Sequence, residues 1–125
     1  MKEFDPTNVD GHYILVNGEP VEERDLIMWA RWYEAHGSLV YVNRVPPLLG
    51  LFGGCRVSTI FLGLDHSFGS GPPLLWETMI FGGPLDGDEW HYASRSEAAA
   101  GHESAVLAAH AARNPLRRGH AHEYA

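Results

Sequence analysis

Val57–Gly83, VSTIFLGLDHSFGSGPPLLWETMIFGG, decides the fold. Two apolar runs, Arg56 to Asp65 and Leu74 to Phe81, are rich in the β-branched and aromatic residues that suit strands. Their connection, Asp65 to Pro73, holds the glycines and prolines that neither strand could tolerate. The two runs therefore read as neighbouring strands at the centre of the fold. Side chains alternate between faces along a strand. Val57, Thr59, Phe61 and Gly63 then share one face of the first strand, and Ser58, Ile60, Leu62 and Leu64 the other. In the second, Leu75, Glu77, Met79 and Phe81 oppose Leu74, Trp76, Thr78 and Ile80. Strands apolar on both sides belong in a sheet covered twice. Two helices are a thin supply for that, so a homo-oligomer is expected, with a dimer favoured.

Toward the C-terminus, Gly82-Gly83-Pro84 and the acidic turn Asp86 to Glu89 lead to Trp90–Ala93, a short last strand. Ser94-Arg95-Ser96-Glu97 has the form of a capping box, and the Ala-rich run behind it predicts a helix through about Arg113, ended by Asn114-Pro115. Ala98, His102, Ala105, Val106 and Ala109 make one face of that helix. Toward the N-terminus, Ser38–Val45 reads as a strand. Pro46–Phe52 is an apolar loop expected to pack over its own domain or to meet another chain. Asp25 or Glu23 opens a helix whose stripe is Leu26, Trp29, Ala30 and Tyr33, and His36-Gly37 closes it. His12–Val16 and Glu19–Glu22 form a hairpin around Asn17-Gly18, with Pro20 confining the second strand to an edge. The expected fold is α+β: an antiparallel meander of about four strands, an N-terminal hairpin and two helices packed on the sheet.

The 125 residues suit one domain, with flexible ends expected over 1–11 and 114–125. A formal charge of −7, with nine scattered Lys and Arg residues, argues against a nucleic-acid partner. One cysteine, Cys55, excludes an internal disulfide, and neither a signal segment nor a membrane-spanning run is read in the sequence. A cytoplasmic location is the expectation.

Polar residues embedded in the central strands mark where chemistry could sit. Asp65 can orient an imidazole, His66 can exchange a proton near neutral pH, and Glu77 can add a carboxylate from the next strand. Trp76 and His102 complete the candidate ligand-binding set. The competing reading has Asp65 and Ser67 satisfying loop amides, and His102 as a core histidine bonded to a neighbour. A metal would have to gather His66 and Glu77 with His91 or His102, but no ligand spacing of a known kind occurs in the ordered elements. The His120-x-His122 pair falls in the frayed tail. No metal or cofactor is expected, and no catalytic residue is assigned. Trp32, off the stripe of its helix, is a further candidate contact.

The same central string, with Tyr92, Ser94, Glu97-Ala98 and Gly101-His102-Glu103 after it, resembles a family of small uncharacterised phage, prophage and actinobacterial proteins. Those carry the pattern VSTxFLGLDHxFGxGPPxLFETMxFGG. This chain has Trp76 where the pattern has Phe, and it carries the Pro46–Phe52 insertion. The resemblance implies a phage-type accessory protein, active in the host cytoplasm, that binds a host protein or a small molecule. The alternative is a small hydrolase or lyase using Asp65, His66 and Glu77, with or without a metal.

Overall fold

A computed structural model of the chain describes residues 3–67 and 69–114. Its elements are β1 (Tyr13–Val16), β2 (Glu19–Glu22), α1 (Leu26–His36), β3 (Leu39–Val45), β4 (Cys55–Phe61), β5 (Trp76–Phe81), β6 (Glu89–Tyr92) and α2 (Arg95–Ala112). Strands β3-β4-β5-β6 form an antiparallel meander in chain order, and β1-β2 form a separate hairpin. The α+β expectation holds. Asn17 and Gly18 both take positive φ, 53° and 82°, as a type I′ turn requires. The His120-x-His122 pair lies outside the described residues.

One face of the sheet makes the core. Val57 pairs with Ile80, Thr59 with Thr78 and Phe61 with Trp76, and all six side chains are fully buried. Large apolar side chains such as Phe61, Trp76 and Ile80 each contribute about 1.5–3 kcal/mol by leaving water. Helix α2 lies across all four strands and buries Ala98, His102, Ala105, Ala109 and Ala112. Its small side chains let the helix backbone approach the sheet closely. Ser94 caps it, the hydroxyl accepting the Glu97 N–H at 3.2 Å.

The hairpin and α1 pack on the same side, where Tyr13, Leu15 and Trp32 join Phe61, Leu75, Trp76 and Ala98 in one cluster. Trp32 is a packing residue, edge-on to Phe61 at 5.9 Å, while Ala30 of the expected stripe faces solvent. The reason is that α1 meets the end of β4 and not the flat of the sheet. There the Tyr33 hydroxyl donates to the Phe61 carbonyl at 2.8 Å and Trp29 Nε1 donates to the Tyr13 carbonyl at 3.0 Å. Residues 5–10 are likewise tied in, with Val9 N–H donating to the Arg24 carbonyl and Arg24 bonding Asn8 and Asp10.

Strand β4 stops at Phe61, four residues before the apolar run does, because the chain turns at Gly63 (φ 68°). A Cβ there would lie 2.9 Å from the Tyr13 carbonyl oxygen, so only glycine lets the hairpin dock. Gly101 meets a similar constraint inside α2. A Cβ at this position would overlap the Tyr92 phenol ring. Alanine is favoured over glycine in a helix by about 1 kcal/mol, but overpacking costs about 1–3 kcal/mol. Gly101→Ala is therefore expected to lower the urea-unfolding free energy by about 1 kcal/mol. In a Tyr92→Ser background the same change is expected to raise it.

The second face of the sheet is left open, as the thin supply of helices implies. Among the described residues no element covers it, and Val42 and Phe81 are 48% and 42% exposed. Nor does the apolar loop fold back. Leu48 and Phe52 close it as an isolated bridge, with Leu49 at φ 56°, and Leu49 and Leu51 are left 83% and 76% exposed.

Candidate functional site

At the end of the open face where β4 leaves for β5, three side chains come together. Glu77 and His91 are cross-strand partners in the meander, and that register puts both on the open face. His91 Nε2 donates to Glu77 Oε2 at 2.9 Å, with both side chains largely shielded. The His66 ring stacks on His91, with centroids 4.9 Å apart and an interplanar angle of 16°. His66 Nδ1 donates to the Leu64 carbonyl at 3.0 Å, so in the neutral ring Nε2 carries the lone pair. The result is a carboxylate, a bonded imidazole and a stacked second imidazole at the surface. Such a group can accept and donate hydrogen bonds or stack against a planar ligand.

Asp65 is beside this group but serves its own loop. One carboxylate oxygen accepts the Ser67 N–H at 2.8 Å and the Leu74 N–H at 3.0 Å, and the other accepts the Ser67 hydroxyl at 2.9 Å. Burial raises its pKa, yet these donors and the neighbouring His66 outweigh burial and hold the carboxyl below its ordinary value. Asp65 thereby clamps the two ends of the Asp65–Pro73 connection and sets the position of His66. It does not orient the His66 ring.

His102 is on the opposite side of the sheet, so it does not converge with His66 and Glu77. Its Nε2 donates to Asn43 Oδ1 at 2.8 Å, which makes Nδ1 the acceptor of the neutral ring. Nδ1 accepts the Thr59 hydroxyl at 2.7 Å, and Thr59 Oγ1 accepts the Thr78 hydroxyl at 2.6 Å. This buried chain ties α2 to β3, β4 and β5. Burial lowers the His102 pKa, which keeps the ring neutral.

Trp76 also faces the core side. It is 1% exposed and lines a cleft of about 510 Å³ between the hairpin turn and the first turn of α2, with Tyr41 and Ser94 among its neighbours. Its Nε1 has no hydrogen-bond partner among the described residues. Cys55, at the far end of β4, has its thiol pKa raised by burial, with Arg113 opposing in part. That thiol is a packing group.

Of the sequence candidates, the fold thus brings His66 and Glu77 to one corner, joined by His91. It gives Asp65 to loop structure and places His102 and Trp76 across the sheet. The sequence offers His91 only as a metal partner, and its bond to Glu77 follows from a meander register that periodicity cannot supply. Among the described residues, no group of three His, Cys, Asp or Glu side chains is arranged to hold a metal ion. No described helix is long and apolar enough to cross a membrane. No protein-family model, curated protein or solved structure matches the chain.

Proposed function

We propose that this chain is a phage-type accessory protein that works as a non-catalytic binding module in the cytoplasm of the host. It acts as a homo-oligomer. Its contact surface for a host protein or small molecule is the Asp65–Pro73 loop with the adjoining Glu77, His91 and His66. The observation that carries this reading is the surface group itself: two stacked imidazoles and a carboxylate, held by a clamped loop on the side of the sheet the chain leaves open. The phage assignment rests on the sequence resemblance. The hydrolase or lyase alternative draws less support, because Asp65 already accepts three donors and Glu77 is bonded to His91.

The test is comparative capture. Wild-type and His66→Ala/His91→Ala chains are immobilised and exposed to the same actinobacterial lysate, with retained proteins and metabolites quantified by mass spectrometry. The expected result is a species retained at least ~10-fold less by the variant, about 1.4 kcal/mol of lost affinity, with the melting temperature unchanged. Equal retention by both chains, or a hydrolytic turnover that disappears with His66, overturns the reading.

A further inference from the structure

The open face carries its charges in a pattern that a second copy can match. The strand register sorts its side chains into three rows. Arg44, Arg56 and Phe81 are cross-strand partners in the first row. Val42, Ser58, Met79 and Glu89 form the second, and Leu39, Ile60, Glu77 and His91 the third. Both arginines are therefore in one corner, on β3 and β4, and both glutamates lie toward the diagonally opposite corner, on β5 and β6. With strands ~4.8 Å apart and a rise of ~3.4 Å per residue, the two charge centres are about 14 Å apart, on a line at about 45° to the strands. The other diagonal runs from Leu39 through Ser58 and Met79 to Phe81, with Val42 beside it, and the Arg56 guanidinium lies 4.6 Å from the Phe81 ring centroid.

We propose that a second copy of this chain covers the centre of the face with its strands crossing at about 90°, Arg44 and Arg56 of each copy meeting Glu77 and Glu89 of the other and His91 and His66 left at the rim for the contact proposed above. A two-fold axis along the apolar diagonal makes that exchange, because it carries each charged corner of one copy onto the opposite corner of its partner. An axis at about 45° to the strands turns the partner's strands by about 90°, which is one of the two crossing angles that packed sheets adopt. The aligned alternatives set the arginine row against Phe81 or against Ile60 and leave the charges unmatched. The orthogonal arrangement also gives the ordinary anatomy of an interface, with apolar side chains at the centre and charged ones at the rim. Because the match is of the surface with itself, it closes as a two-fold dimer. The inference rests on the homo-oligomer reading and adds to it the surface, the crossing angle and the pairing.

The test uses two complementary variants of the full chain, Arg56→Glu and Glu89→Arg, each checked for its fold by circular dichroism. Sedimentation equilibrium is expected to show a wild-type dimer, a rise of at least ~10-fold in the dissociation constant for each variant alone, and recovery of the dimer when the two are mixed. Recovery is expected because the two reversed side chains, at positions 56 and 89, then face each other with opposite charge in the mixed pair, which a merely structural role for these residues would not produce. A wild-type chain that stays monomeric at ~100 µM overturns both this inference and the homo-oligomer reading, leaving capture at His66 to be judged separately. A dimer that persists in both variants overturns the inference alone.

Discussion

Replacing His102 with alanine is expected to destabilise the protein by about 3–5 kcal/mol, the largest effect of any single side chain outside the apolar core. The change leaves the buried Thr59 hydroxyl without an acceptor and opens a hole under α2, while Asn43, at the exposed edge of β3, can turn to water. A buried group abandoned by its partner costs about 1–3 kcal/mol, and the missing ring adds a cavity cost of similar size. Urea unfolding measures the sum. A loss below ~1 kcal/mol would show that the hydrogen-bonded chain through Thr59 and Thr78 does not hold helix to sheet.

The same residue sets a pH dependence. The His102 pKa is lowered in the fold from an unperturbed value of 6.5. The unfolded chain therefore binds a proton that the folded chain refuses, and stability falls as acidity rises. The contribution is complete above pH 6.5 and is lost as pH falls below that value toward the lowered one. His102→Gln, which cannot take up the proton, is expected to have a flatter urea midpoint between pH 7.5 and 5 than the wild type. Equal slopes would assign the acid sensitivity to other groups.

Asp65→Ala is the second large effect, expected to cost about 2–3 kcal/mol in unfolding free energy. Hydrogen bonds to a charged acceptor contribute about 1.5–3 kcal/mol each, but the sum is discounted here because solvent reaches part of the site. Ser67 and Leu74 lose their shared acceptor, and the strand connection loses its clamp. Asp65→Asn keeps one carbonyl oxygen and is expected to recover about half of the loss. Since His66 is placed by this loop, Asp65→Ala should also weaken any binding that depends on His66. The acid limb follows the carboxyl: its lowered pKa supplies stability above the ordinary 3.8 that disappears as pH falls through the folded value. A variant as stable as the wild type would return Asp65 to the list of residues available for chemistry.

Most of the scaffold was legible because its signals are local. Asn17-Gly18, Asp25, Ser94 and the alternation in Val57–Phe61 each act on a few neighbouring residues, and each appears where expected. The bonds of the candidate site depend on distant partners and were less accessible. That His91 reaches Glu77 requires the β5–β6 register, 14 residues apart. That His102 finds Asn43 requires α2 to dock across β3, 59 residues away. That Asp65 and Ser67 satisfy loop amides is a local reading and holds, whereas the return of Leu74 to the same carboxylate depends on the strand pairing. The apolar content of Ser58–Leu64 and Glu77–Phe81 suggested cover on both sides, yet Val42 and Phe81 are half open to water. Hydrophobicity identifies surface that favours leaving water and does not tell whether the same chain or another supplies the shelter.

A sheet sheltered on one side puts successive positions of β4 and β5 under different kinds of selection. Val57, Thr59 and Phe61 answer to whether the molecule folds at all, while in the proposed dimer Ser58 and Ile60, their immediate neighbours, answer to whom it meets. Mutational tolerance along these strands should therefore rise and fall with a two-residue rhythm, and opposite phases of it should appear when the readout is abundance and when it is assembly.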